Sequence, residues 1–402
     1  MFKKKFTAIL LILLLTTAFL SCPKDDAESV GTDIMSLTPM KDSFASYFLI
    51  GNIFNPQDVS GSTISNTRIT RHYNILTHEN HMKPINLSSG YNAEGNGGLG
   101  SHTRISSGFT TANNMVNAAL AANIKVVGHT LLWHSQIPSW QQNMASQPSA
   151  DALKAMRVYI TDVVSYLAGR IHTWDVLNEV FPDGVSASAD WTKVMRTGGA
   201  NTGNPWYVAI GSDFVYEGFL AARLADPDAI LYYNDYNTDQ VGKATMIRNM
   251  VVAVNNKYLT GSDKPGGEDP NRLLIEGIGM QEHHNTSVQA SSVKATLTMF
   301  NNMTFTNSNR KIRISVSELD ILSQTWGQYS SNTAITSQGR TDQANLYGSL
   351  FKEYLAFSSI IERVSFWGII DSQSWRPRGE PLIFDSSGKS KQAYHNIINT
   401  LK

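Results

Sequence analysis

The chain has a single cysteine among 402 residues, Cys22, so no intramolecular disulfide can form and a structural site built from several thiolates is excluded. It has no net charge either. Lys and Arg number 33, and so do Asp and Glu, which leaves no field to hold nucleic acid or an anionic surface non-specifically. No Gly-rich phosphate fingerprint follows the first apolar segment, and in GKATMIRN, Gly242 to Asn249, glycine and lysine stand at the wrong spacing for a phosphate loop. No HExxH-like spacing accompanies His129, His134, His283 and His284, so no metal or other cofactor is expected and these rings are better used in hydrogen bonds. Internal repeats that would indicate a solenoid are missing as well.

Long apolar runs are also scarce. AILLILLLTTAFL, Ala8 to Leu20, is short for a bilayer span, and after Lys3, Lys4 and Lys5 it has the pattern of a signal peptide over residues 1–21. Cys22 follows directly, ahead of the polar PKDDAES, as in a bacterial lipoprotein whose thiol is lipidated after cleavage. The expectation is an exported protein, lipid-anchored through Cys22 at the outer membrane or cell surface, with a tether over 22–40 and a catalytic domain over 41–402. Plain secretion with an incidental cysteine is the alternative.

What the chain does have is a 42% apolar composition, 8 Trp and 15 Tyr. That suffices for a large core and for aromatic walls suited to neutral, hydroxylated ligands. The run IHTWDVLNEVF, Ile171 to Phe181, reads as a buried strand whose polar pair Asn178 and Glu179 arrives as the apolar residues stop. A second run, IRISVSELDI, Ile312 to Ile321, ends in the same way at Glu318. Six further strands are expected in FLIGNIF, NILTHENHMKP, KVVGHTLLWHSQIPSW, AILYYNDYN, LLIEGIGMQEHH and VSFWGIID. Helical patterns separate most of them: TTANNMVNAALAAN, Asp151 to Arg170 with its N-cap at Ser149 or Asp151, WYVAIGSDFVYEGFLAARLA, ATMIRNMVVAVNNKYL and QANLYGSLFKEYLAF. Eight strands alternating with helices predict an α/β fold, a single (β/α)₈ TIM barrel, with chemistry at the strand ends. Residues 86–108, rich in Gly, Ser and Asn, read as a long excursion on its rim.

A lone Asn-Glu pair is more often a surface loop, and each glutamate alone would be better read as half of a salt bridge. Two carboxylates at two strand ends of one barrel change that balance, because such a pair can split a glycosidic bond. Glu179, between Asn178 and the apolar Val180 and Phe181, is the acid/base candidate. Glu318, within reach of a donor such as His283, is the candidate nucleophile.

The segments GHTLLWHSQIPSW, WDVLNEV, YYNDYN, GIGMQEHH, SELDI and SWRP, in this order from about Phe44 to the C-terminus, resemble the family 10 glycoside hydrolases, chiefly endo-1,4-β-xylanases. The resemblance implies a retaining hydrolase of the xylan backbone, with Glu179 as acid/base and Glu318 as nucleophile. It also implies that Asn178 contacts the 2-hydroxyl of the sugar being cleaved. Glu79, Asn80 and Lys83 would bind the next sugar on the non-reducing side, and His129, Trp133, Gln281, His283, Trp367 and Trp375 would line the cleavage subsite. Tyr236 is a leaving-side candidate. Xylan or a xylo-oligosaccharide is then the partner, and the chain is expected to act as a monomer.

Three departures stand out. Glu282 adds a third carboxylate, expected either to alter neighbouring pKa values or to point away from the pocket. Residues 86–108 do not match the usual connection and are too short for an inserted sugar-binding module. Asn113 stands where an Asp is common. The alternatives to a xylanase are a retaining glycosidase acting on β-glucan or aryl cellobiosides, and a surface lipoprotein that binds xylan without cleaving it.

Overall fold

Eight segments that are buried on both faces become eight parallel strands, because each is enclosed between a barrel interior and a helical shell. A computed structural model describes residues 30–88, 107–198 and 202–402. The strands are β1 (Leu49–Phe54), β2 (Ile75–His78), β3 (Lys125–Leu132), β4 (Thr173–Asn178), β5 (Ile230–Asp235), β6 (Gly277–Met280), β7 (Arg313–Leu322) and β8 (Ile361–Phe366). They pair in sequence order, and β8 pairs with both β7 and β1, which closes the barrel.

Large and small residues alternate between neighbouring strands. Gly128 of β3 stands opposite Trp174 of β4, and Gly277 of β6 opposite Tyr232 of β5. A Cβ at Gly128 would come within 2.1 Å of the Trp174 ring, and one at Gly277 within 2.3 Å of the Tyr232 ring. Each ring fills the space that its neighbour's missing side chain leaves.

The helices of the outer shell are α1 (Thr67–His72), α2 (Ser107–Ala121), α3 (Ser149–Leu167), α4 (Asp213–Ala225), α5 (Val241–Thr260), α6 (Ala290–Asn301), α7 (Ser337–Ala356) and α8 (Gln392–Ile398), each after the strand of the same number and in several cases after a shorter helix. The expected helix over WYVAIGSDFVYEGFLAARLA is two helices, Pro205–Ile210 and α4. Gly211, at φ 82°, ends the first of them in a conformation other residues rarely adopt. Neither Ser149 nor Asp151 caps α3; Pro148 holds the N-cap position and Ser149 is already helical. Helix α6 was not expected from the sequence, because Ser and Thr interrupt the stripe made by the buried Val293, Leu297 and Phe300.

Residues 31–40, assigned above to the tether, are instead part of the packed domain. Ile34, Leu37 and Met40 are buried, the backbones of Asp33 and Lys389 form an antiparallel β-bridge, and His72 Nε2 donates to the Ile34 carbonyl at 2.8 Å. A tether would have to lie before them. The expected signal peptide, Cys22 and most of the 86–108 excursion lie outside the described residues.

Candidate active site

Both glutamates sit where strand pairing slips. Between Asp175 and Leu177 β4 carries one residue more than β5, and between Val316 and Leu319 β7 carries one more than β8. Such bulges re-aim the side chains that follow. Glu179 then turns into the left-handed region at φ 55°, where its amide donates to the Asn234 carbonyl at 2.9 Å and its own carbonyl accepts from Arg196 Nε at 2.9 Å. Glu318 differs from the expectation of a strand end: β7 runs on to Leu322, because a short strand, His283–Asn285, pairs beside Asp320 to Leu322.

The carboxyl of Glu179 accepts from Gln281 Nε2 at 2.9 Å, Trp133 Nε1 at 2.9 Å and Asn178 Nδ2 at 3.2 Å. Burial pushes its pKa above the ordinary glutamate range. The Gln281 and Trp133 hydrogen bonds oppose that push, and the charges of Asp235 and Glu318 add to it. A carboxyl so placed keeps its proton to higher pH, as a general acid must.

Glu318 is shifted the other way. Burial alone would raise it too, but a hydrogen bond from His283 and the positive field of His129, His283 and Lys83 outweigh burial and leave it below the ordinary range. His283 Nε2 lies 3.1 Å from Glu318 Oε2, and its Nδ1 lies 2.9 Å from Asp320 Oδ1. Burial would lower the His283 pKa, yet Asp320 and Glu318 together push it up to about 9, so the ring donates from both nitrogens near neutrality. Asp320 is held in turn by Trp375 Nε1 at 2.7 Å and by Arg376. On the other side His129 Nε2 is 4.0 Å from Glu318, while its Nδ1 is 2.9 Å from Asp175.

The two carboxyls are joined by a buried set of amides. Asn234 Nδ2 donates to Glu318 Oε1 at 2.7 Å and to Asn178 Oδ1 at 3.1 Å, and that oxygen also accepts from Gln281 Nε2 at 3.2 Å. Ser317 Oγ donates to Asn234 Oδ1 at 2.6 Å, which turns the amide nitrogen toward the acceptors. Sequence reasoning places Asn234 at a strand end without giving it a task; the structure makes it the bridge. Its room comes from Gly279, where a Cβ would meet Asn234 Oδ1 at 2.1 Å.

A cavity of about 630 Å³ opens over this pair. Of the residues singled out from sequence, Lys83, His129, Trp133, Asn178, Glu179, Tyr236, Gln281, His283, Glu318, Trp367 and Trp375 border it. Glu79 and Asn80 do not. Glu79 accepts from Asn55 Nδ2 at 2.5 Å and faces a neighbouring depression of about 170 Å³ with Gln57, Asp58 and Gln373, while Asn80 accepts from Lys83 Nζ at 3.1 Å. Lys83 Nζ also lies 5.3 Å from the Trp133 ring centroid.

Glu282 points away from the cavity. It follows Gln281 at φ 59°, and its carboxyl meets His284 Nε2 at 2.7 Å and Tyr354 Oη at 3.1 Å. His134 does not border the cavity, and burial drives its pKa down to about 4. Gln136, Asp183, Asn237, Gln240, Asn285, Trp326 and Arg376 line the cavity without having been singled out. Of these, Gln136, Asn237 and Arg376 stood in recognisable segments, GHTLLWHSQIPSW, YYNDYN and SWRP. Among the described residues no group of three or more His, Cys, Asp or Glu side chains is arranged to hold a metal ion.

Asp235 is buried behind Glu179, accepting from Tyr233 Oη at 2.5 Å and lying 3.4 Å from Lys243 Nζ. Its charge makes Glu179 harder to ionise. In Asp235→Asn that obstacle disappears, so Glu179 loses its proton at lower pH and the alkaline limb of the kcat/KM profile moves toward acid. An alkaline limb that stays put or moves upward would show that Glu179 does not set it.

A sequence profile described as glycosyl hydrolase family 10 matches residues 39–400. Endo-1,4-beta-xylanase A of Thermotoga neapolitana is 31% identical over 373 residues, covering 89% of this chain and 30% of that protein. The exoglucanase XynX of Acetivibrio thermocellus is 30% identical over 386 residues, covering 93% of this chain and 30% of that protein. The chain thus spans under a third of the length of these curated relatives. Among solved structures, a termite-gut GH10 xylanase containing a bacterial Ig-like domain superimposes with a TM-score of 0.83 at 48% identity, covering 92% of this chain and 79% of that one.

Proposed function

The chain belongs to glycosyl hydrolase family 10, and from that footing we propose that it is a retaining endo-1,4-β-xylanase that cleaves internal bonds of the xylan backbone by double displacement. One observation carries this reading: two buried carboxyls, joined through one amide network over one cavity, have pKa values shifted in opposite directions.

In the first step Glu318, ionised and aimed by His283 and Asn234, attacks the anomeric carbon while Glu179 gives its proton to the departing glycosidic oxygen. Esterification removes the Glu318 charge, one of the influences that raise Glu179. The Glu179 pKa then falls, and the same carboxylate takes a proton from the incoming water. Trp133, Gln281 and Asn178 hold it throughout. Asn178 is assigned to the sugar's 2-hydroxyl, Lys83 with Glu79 and Asn80 to the next sugar on the non-reducing side, and Tyr236 to the leaving side.

The test is product analysis on xylohexaose with NMR detection of the new anomer, alongside turnover on xylan and mixed-linkage β-glucan. The expected result is the β-anomer first and a preference for xylan. An initial α-anomer would sink the retaining mechanism, and faster turnover of glucan would sink the substrate assignment. We further propose that the protein is exported and anchored through a lipidated Cys22, on the strength of the residues before it. Palmitate labelling should then vanish in Cys22→Ser, whereas labelling that persists would rule the anchor out.

A further inference from the structure

Two of the eight tryptophans, Trp375 and Trp326, are more than half exposed, at 52% and 53%, and both border the catalytic cavity. Trp375 is held by Asp320 beside the nucleophile. Trp326 has no part in the mechanism above, and an indole left in water forgoes the burial that its ring normally gains. Its location at the lip of a sugar-sized cleft is the reason to look for a ligand.

The ring is held rather than loose. It opens the short helix Trp326–Ser330, started by a reciprocal cap in which Thr325 N–H donates to Gln328 Oε1 at 2.9 Å and Gln328 N–H donates to Thr325 Oγ1 at 3.3 Å. Tyr329 stacks against Trp326 with centroids 5.6 Å apart and planes 28° apart. Arg378 lies 4.5 Å over the Tyr329 ring and donates to the Tyr329 carbonyl at 2.7 Å. Arg378 sits in the turn Pro377–Gly379, immediately after Trp375 and Arg376. The loops that follow β7 and β8 are therefore tied together, and Trp326 has a fixed place relative to Trp375.

That place is in the sector of Tyr236, the residue assigned above to the leaving side. Asn285 pairs with Leu322 at the end of β7, which brings Asn285 and Trp326 to one sector of the rim, next to the β5 loop that supplies Tyr236, Asn237 and Gln240. Lys83 and Trp133 come from the β2 and β3 side. The geometry points to Trp326 as a stacking platform for a xylose residue on the leaving-group side of the bond being cleaved. A neutral pyranose has an apolar C–H face that fits an aromatic plane, and a prebuilt plane costs little ordering on binding. The inference rests on the xylanase reading and adds to it a contact made by the polymer and not by an aryl leaving group.

The experiment compares kcat/KM for xylohexaose and for 4-nitrophenyl β-xylobioside in the parent protein, Trp326→Ala and Trp326→Tyr. The ratio of the two values is expected to fall about tenfold in Trp326→Ala, and Trp326→Tyr, which keeps a ring, should retain at least half of the parent ratio. An unchanged ratio in Trp326→Ala overturns the platform, as does a Tyr variant no better than the Ala variant. A parent protein that cleaves neither substrate would instead overturn the xylanase reading itself.

Discussion

Glu318→Gln is expected to lower kcat on xylohexaose by roughly 10⁴-fold or more while xylo-oligosaccharides still bind. The substitution keeps shape and volume but removes the electron pair that forms the bond to the anomeric carbon. It also replaces an acceptor by an amide whose NH₂ would face a donor, since His283 Nε2 at 3.1 Å and Asn234 Nδ2 at 2.7 Å both donate to the native carboxylate. Binding should persist because the cavity walls, Trp133, Trp367, Trp375 and Lys83, are untouched. The measurement is steady-state turnover beside calorimetric titration with xylohexaose. Hydrolysis at the parent rate would identify the wrong nucleophile, and loss of both binding and turnover would mean the site had collapsed rather than lost its chemistry.

For Glu179→Ala the expected loss depends on the leaving group. On xylan, whose departing sugar oxygen needs a proton, kcat/KM should fall by about 10²- to 10⁴-fold. On a dinitrophenyl xylobioside the departing phenolate needs none, so formation of the glycosyl-enzyme should be little affected. Its hydrolysis still lacks a base, so the intermediate should accumulate, giving a burst of phenolate and a lowered KM. Pre-steady-state kinetics on the two substrates checks this. Equal losses on both would falsify the acid role, and with it the meaning given to the upward pKa shift that burial imposes on Glu179.

The strands were legible because a parallel barrel buries both faces of each one. The letters of VLN and ISVSE therefore carry only apolar or small side chains up to the residue that reaches the mouth. The same rule exposed Glu179 and Glu318 as charged residues following such stretches. It could not say which way a side chain points once the backbone leaves regular pairing. Gln281 and Glu282 are adjacent letters of similar shape, yet one enters the cavity and the other turns back to His284 and Tyr354, because the backbone passes through φ 59° between two sectors of the rim. Trp326 was invisible for another reason: it lies in a loop with no periodicity, and its platform exists only because Tyr329 and Arg378, 49 residues apart, meet.

By itself, then, the order of apolar and polar residues determined an eight-stranded α/β barrel and marked Glu179 and Glu318 as carboxylates near the ends of two of its strands, since these follow from period along a single strand. Tertiary structure supplied the burial and the neighbours that shift the Glu179 pKa up and the Glu318 pKa down. It decided as well that Glu79 and Asn80 stand beside the main cavity rather than on it, and that residues 31–40 belong to the packed domain. Those outcomes depend on distances between side chains from different strands, through burial, hydrogen bonds and fields that fall off over a few ångströms, and no reading along one chain contains them.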